Sequence, residues 1–274
     1  MEVVSSAALT VTFPAPTVTG GRQPVTSSCT PASGTEFQRG TTSVLCSAQD
    51  GAGATVGCSF DVRVRGEARL SVTSFMAFGD SLTEGTVAPS ALRLLTINSQ
   101  SYPFKLENLL RARYPNQSIT VANAGEAGEQ ATEGAKRFHS TLLSVRPLAV
   151  LLMQGSNDLF FWHDDGIARA IPALATMIND AQTHDVEVFL ATIPPQRPTG
   201  SRATVAAIIP AFNEAVRGLA RDRGVILVDV ERTILEDMSL IGNDDLHLTE
   251  RGYDKVAELF LKVIQETLEI EEGG

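Results

Sequence analysis

Along residues 1–66 apolar and polar positions alternate, or run in β-branched residues, at 9–13, 25–29, 41–47 and 55–64. Turn chemistry separates these stretches: Gly20-Gly21, then Pro31 to Gly34, then Asp50 to Gly53. No helical period appears, so the pattern predicts a small antiparallel, sandwich-like module. Its last two strands, joined through Asp50-Gly51, form a hairpin that sets Cys46 nearly opposite Cys58. After Arg69 the rhythm changes. Apolar strand-like runs at 74–78, 119–122, 148–153, 186–193 and 225–230 alternate with helical stretches near 101–113, 129–144 and 165–183. A fourth helix carries Phe212, Val216, Leu219 and Ala220 as one stripe. A final helix over 249–268 carries Tyr253, Val256, Ala257, Phe260, Leu261 and Ile264, with Thr249 as its N-cap. Five buried strands alternating with helices predict an α/β domain over 67–274, built on a parallel sheet with helices on both faces.

Composition narrows the partners. The chain has 274 residues, 43% hydrophobic and 20% charged, which is ordinary for a protein with a sizeable core. Residues 1–66 hold four Arg and four acids, so the net charge of −10 falls on the second region. Such a surface repels phosphate backbones and anionic lipid, and nucleic acid is not expected as a partner. No apolar run reaches the ~18–20 residues of a membrane span. All three cysteines, Cys29, Cys46 and Cys58, lie in the small first region, where a disulfide would tie a limited core. Three single pairings are open to them, each leaving one thiol over. Met1 to Thr10 lack the positive start and apolar centre of a signal peptide.

The candidate chemistry sits where the strands end. Ligands of a parallel α/β sheet bind beyond the carboxyl ends of its strands. The first strand runs into Gly79-Asp-Ser-Leu-Thr-Glu-Gly85, the second into Asn123-Ala-Gly-Glu-Ala-Gly128, the third into Gln154-Gly-Ser-Asn-Asp158. Asn243-Asp-Asp-Leu-His-Leu-Thr249 precedes the last helix. A serine hydrolase needs a hydroxyl beside an imidazole, a carboxylate to orient that ring, and donors for an oxyanion. Ser81 supplies the hydroxyl and a backbone N–H, and His247 the imidazole. Asp244, three residues before it, supplies the carboxylate, with Asp245 as the competing candidate. Gly125 offers an unobstructed N–H and Asn157 a side-chain amide.

These blocks resemble the SGNH (GDSL) hydrolase family. "FGDSLTEG" at 78–85 is similar to its first block, "NAGEAGE" at 123–129 to its second, "GSND" at 155–158 to its third and "DDLHLT" at 244–249 to its last. The helix and strand at 209–230 are similar as well. The resemblance spans residues ~75–265, in order. It implies a flavodoxin-like fold with Ser81 as nucleophile, His247 as general base and Asp244 as its partner. It also implies an oxyanion hole of Ser81, Gly125 and Asn157, and neither metal nor cofactor. The implied reaction is hydrolysis of carboxylic esters, with short or small acyl groups, or alternatively of acetyl groups on a polysaccharide.

The text "CTPASGTEFQRGTTSVLCSAQDGAGATVGCSFDVRV" at 29–64 resembles hyalin-repeat (HYR) modules, which are immunoglobulin-like. That resemblance implies a secreted or periplasmic protein of bacterial type whose signal peptide has been removed ahead of Met1. A reading of another class is an extracellular binding or adhesion protein with a silent hydrolase domain. Phe160, Phe161 and Trp162 follow Asn157 and either wall an acyl or aryl pocket or simply pack. His163, Asp164 and Asp165 read as a helix start, and His139 and His184 as surface residues. Leu92, Leu94, Leu95 and Ile97 either cover the cleft or form the core of an ordinary loop.

Overall fold

The computed structural model describes residues 1–5, 8–199 and 202–271. Its contacts divide the chain into two units, one holding residues 1–69 with the C-terminal stretch from Glu269, the other Leu70–Leu268.

The first unit is all β. Strands β1 (Glu2–Val4), β3 (Thr26–Thr30), β5 (Gly40–Gln49) and β6 (Thr55–Arg65) form a sheet in the order β1-β6-β5-β3. A second pair is made by β2 (Leu9–Val11) and β4 (Thr35–Phe37). Along β5, Val44, Cys46 and Ala48 are buried while Leu45 and Ser47 are exposed, the period-two alternation of a one-face-buried strand. Val11, Phe37, Val44, Cys46, Val62 and Val64 make the core. The β5–β6 hairpin puts Cys46 opposite Cys58, as the sequence suggests, and β3 puts Cys29 opposite Cys46 on the other side. The disulfide joins Cys29 to Cys46, and Cys58 keeps an exposed thiol. The chain's last strand, β15 (Glu269–Glu271), pairs with β7 (Ala68–Leu70).

The second unit is the α/β domain. Its sheet contains β8 (Ser74–Gly79), β11 (Thr120–Gly125), β12 (Ala149–Met153), β13 (Glu187–Ala191) and β14 (Ile226–Val228). All pairings are parallel and the order is β11-β8-β12-β13-β14. Every residue of β12 is buried, as are Phe75 to Gly79 of β8, which is why these strands read as unbroken apolar runs. The helices are α1 (Ser81–Glu84), α2 (Tyr102–Arg113), α3 (Ala131–Val145), α4 (Ser156–Trp162), α5 (Asp164–Thr183), α6 (Ala203–Arg223), α7 (Val230–Leu235) and α8 (Glu250–Leu268). Helix α8 buries Tyr253, Val256, Ala257, Phe260 and Ile264, its expected stripe apart from a half-buried Leu261. Thr249 Oγ1 accepts the Gly252 N–H at 3.2 Å, so the expected cap is present. A hairpin of β9 (Thr86–Ser90) and β10 (Arg93–Thr96) follows α1, with Leu92 fully exposed at its tip.

The strand order matters for function. The first strand, β8, sits inside the sheet, and the chain goes to β11 on one side before crossing to β12 on the other. That reversal opens a crevice beyond the carboxyl ends of β8 and β12, the place where doubly wound sheets bind ligands.

Candidate active site

Three of the four clusters come together at that crevice because each directly follows a strand of the switch point. Ser81 begins the single turn α1, two residues past the end of β8. Asp80 caps the turn, its Oδ1 accepting the Leu82 N–H at 3.0 Å, and Gly85 closes it in the left-handed region at φ 102°. As the first residue of a helical turn, Ser81 has a backbone N–H with no intrahelical partner. Asn157 is the second residue of α4, after β12.

His247 arrives from the loop between α7 and α8. Its Nε2 lies 2.9 Å from Ser81 Oγ, and its Nδ1 lies 2.5 Å from Asp244 Oδ2. An ionised carboxylate only accepts, so Nδ1 carries the proton and Nε2 is left to accept from the serine hydroxyl. The other oxygen, Asp244 Oδ1, takes the backbone N–H groups of His247 at 3.0 Å and Leu246 at 3.3 Å. The three-residue spacing lets one carboxylate hold both ring and backbone. Burial pushes the Asp244 carboxyl up, but the His247 hydrogen bond and charge and those two N–H groups outweigh it and hold it below the ordinary range. Ser81 and His247 are both buried.

Asp245, the competing acid, is turned away. Its backbone is left-handed (φ 65°) and its carboxylate lies 3.2 Å from Arg197 Nη1. Arg197 grips the histidine loop from behind. Nη1 donates to the Gly242 carbonyl at 2.7 Å, and Nη2 donates to the carbonyls of Ile241 at 2.5 Å and Met238 at 3.3 Å. The Arg197 N–H donates to the Asp245 carbonyl at 3.2 Å. The motif blocks do not contain this residue. The available signal was a lone arginine in the Pro-rich stretch Pro194-Pro-Gln-Arg-Pro198, just past a buried strand.

The glycine assignment needs correction. Gly125 does not offer a free donor, because its N–H is donated to Asn123 Oδ1 at 3.0 Å in an Asx turn. Its lack of a side chain serves packing instead, since a Cβ there would lie 2.2 Å from the Glu84 nitrogen. The loop's other glycine, Gly128 (φ 82°), has open space about it, and its N–H makes no hydrogen bond among the described residues. It immediately precedes Glu129, whose carbonyl accepts from Asn157 Nδ2 at 2.9 Å. The second hydrogen of that amide remains available.

A half-buried ionic frame holds this loop. Arg137 on α3 donates to both Glu129 carboxylate oxygens, at 2.5 and 2.7 Å, and to the carbonyls of Ala124 at 3.0 Å and Gly79 at 3.3 Å. Gln154 Nε2 adds a bond to Glu129 Oε2 at 2.8 Å. The ends of β8, β11 and β12 are thereby tied to one guanidinium–carboxylate pair. Two further acids are buried at the same edge. Burial raises Asp80 to about 7, against the opposing pull of the Leu82 N–H and the His247 charge. Burial likewise raises Asp158 to about 6, while its Oδ2 accepts the Ala131 N–H at 2.8 Å.

The aromatic run ends α4 half-exposed. Arg202 lies 4.3 Å over the Phe160 ring and Arg169 lies 3.9 Å over Trp162, so part of each ring face is used within the protein. His163 (φ 49°) joins α4 to α5, and Asp164 and Asp165 occupy the first turn of α5, the helix-start role expected of them.

Known proteins share the fold that carries these residues. The crystal structure of a lipase/acylhydrolase from Enterococcus faecalis superposes with a TM-score of 0.62 at 21% identity, covering 72% of this chain and 97% of the other. An acetylxylan esterase from Geobacillus stearothermophilus gives 0.58 at 19% identity, covering 71% and 96%. At such identities the likeness is one of fold. A multidomain esterase from Ruminococcus flavefaciens is 28% identical over 130 residues, which is 46% of this chain and only 17% of that larger protein. Residues 77–255 match the GDSL-like lipase/acylhydrolase family over well more than half the chain, and the chain belongs to that family.

Proposed function

We propose that the protein is a serine esterase that hydrolyses carboxylic esters through an acyl-enzyme at Ser81. The observation that carries this reading is the unbroken chain from Ser81 Oγ to His247 Nε2 at 2.9 Å and from His247 Nδ1 to Asp244 Oδ2 at 2.5 Å. His247 takes the hydroxyl proton as Oγ attacks the ester carbonyl, and Asp244 stabilises the imidazolium that forms. The tetrahedral oxyanion is met by the Ser81 N–H and Asn157 Nδ2, with the Gly128 N–H as third donor in place of Gly125. Each such donor is worth about 10²–10³ in rate. Collapse expels the alcohol with the proton from His247. Water, activated by the same imidazole, then releases the acid and restores Ser81.

Hydrolysis of p-nitrophenyl acetate, butyrate and octanoate by wild type and Ser81→Ala tests the reading. Turnover by wild type that falls to background in the variant supports it, a loss of about 10⁶ in kcat for a removed nucleophile. Inactivity of wild type on all three esters and on acetylated xylan would favour the binding-protein reading. Preference for acetylated xylan over the short esters would identify a carbohydrate esterase. The Cys29–Cys46 disulfide supports placing the protein in an oxidising compartment, secreted or periplasmic.

A further inference from the structure

We propose that His139, Asp180 and His184 form a surface site for a first-row divalent cation of the zinc class, bridging α3 and α5. Asp180 and His184 are four residues apart, so the helical repeat brings both to one face at the end of α5. His139 reaches them from α3, which packs against α5. His139 Nδ1 lies 3.1 and 3.2 Å from the two Asp180 carboxylate oxygens, and His184 Nδ1 lies 3.4 Å from Oδ1. The three ligand atoms are all within 4.8 Å of one another.

Zinc holds nitrogen and oxygen ligands at ~2.0–2.2 Å in a tetrahedron, which sets any two of them about 3.4 Å apart. Both imidazole–carboxylate separations are near that value. An ordinary His–Asp ion pair accounts for one imidazole on the carboxylate; here two rings converge on it, with centroids 5.4 Å apart and planes inclined at 59°. A single cation among the three satisfies both nitrogens and the carboxylate at once. Two imidazoles and one carboxylate are the borderline donors that select zinc-like ions, whereas calcium and magnesium take oxygen-rich shells. His184 Nδ1 also lies 2.8 Å from the Asp180 carbonyl and 3.3 Å from Thr183 Oγ1. Metal binding displaces the Nδ1 proton and frees that last-turn carbonyl to water. Asp180 is half-buried and both histidines reach solvent, so the ion enters directly and a water completes the shell. The ester chemistry uses none of these residues. An ion here links two helices in the folded protein only, and so raises stability by mass action.

The test uses the full chain stripped with chelator. Zn²⁺ affinity is measured by competition with a chromophoric chelator, and thermal melts are recorded with and without ZnCl₂. His139→Ala and Asp180→Asn are compared with wild type, their melts without metal confirming folding. The expected result is a Zn²⁺-dependent rise in Tm for wild type that both variants lose, with affinity weakened at least about tenfold. Mg²⁺ and Ca²⁺ should give no rise. Binding of Zn²⁺ at His247 instead would appear as inhibition of ester hydrolysis equal in wild type and His139→Ala. That result without a wild-type-specific rise in Tm overturns the proposal, as does Zn²⁺ affinity unchanged by both substitutions.

Discussion

The first unit closes around Val11, Phe37, Val44, Val62 and Val64 and buries no charged side chain among its described residues. The α/β unit, by contrast, sinks Asp80, Glu129, Asp158, Glu231 and His247 into its interior. The buried side-chain atoms of this unit without a partner are Asp80 Oδ2, Glu84 Oε2, Gln154 Oε1, Asp158 Oδ1 and Gln196 Oε1 among the described residues. Asp80 adjoins Ser81, Asp158 adjoins Asn157, Gln154 directly follows β12 and Gln196 adjoins Arg197. Burying such atoms costs free energy. The cost is concentrated where backbone and side chains must be held in one arrangement for chemistry. The β unit, with no buried charge among its described residues, shows the simpler, apolar way to hold a small sheet together.

The contrast can be broken most sharply at the acid pair. Asp244→Asn should lower kcat by about 10⁴, because an amide cannot orient and stabilise the imidazolium as the carboxylate does. Asp245→Asn should leave kcat within about threefold, since its carboxylate faces Arg197 and not His247. Equal losses in the two variants would mean that the loop, and not one carboxylate, is what matters. Next in size is Arg197→Met, expected to lower kcat by about 10²-fold with KM little changed, since displacing a catalytic group by about 1 Å costs this much. Arg197→Lys should recover little of it, because an ammonium cannot reproduce the guanidinium fork that reaches three carbonyls. Steady-state kinetics on p-nitrophenyl acetate, with near-ultraviolet dichroism to show the fold intact, decides both.

How much of this was legible beforehand follows from the range of the interactions. The five strands and long helices were readable within a few residues, because burial imposes a period on ten or more positions at a time. Ser81, Asn157, Asp244 and His247 were readable because each motif follows a strand end or precedes a helix, and the sheet brings those ends together. Helices α1 and α4 are too short to show a period, and β9–β10 read as a loop because Leu92 points into solvent. Choosing between Gly125 and Gly128 required seeing the Asx turn made by Asn123. Arg197 and Arg137 tie their loops through backbone carbonyls as well as through Asp245 and Glu129, and the carbonyls leave no residue-type signature. The meeting of His139 with Asp180 depends on how two helices pack, which no local pattern encodes.

The same comparison predicts where a change is felt. Cys29→Ser opens the 17-residue separation closed by the disulfide and should cost the β unit about 2–4 kcal/mol. Cys58→Ser removes only an exposed thiol and should fall within about 0.5 kcal/mol. Denaturant melts should show this difference between the two variants, and kcat on p-nitrophenyl acetate should stay at the wild-type value in both. A fall in kcat for Cys29→Ser would show that the β unit supports the chemistry.

The smallest expected effect concerns the cost of polar burial itself. Asp80 is buried beside the nucleophile with its carboxyl raised to about 7, far above its ordinary value near 3.8. A carboxyl raised on folding makes the folded state bind more protons than the unfolded chain between those two values. Wild type should therefore lose stability as pH rises from about 4 to about 7, opposite in sign to the contribution of Asp244, which is lost only as pH falls below the carboxylate range. Asp80→Asn keeps an oxygen to cap the Leu82 N–H but cannot ionise. Relative to wild type it should gain on the order of 1–3 kcal/mol at pH 8 and almost nothing at pH 4.5. Urea midpoints at the two pH values measure the difference. A gain equal at both would show that the Asp80 carboxyl titrates alike in the folded and unfolded chains, and a loss at pH 8 would show that its charge stabilises the turn that presents Ser81.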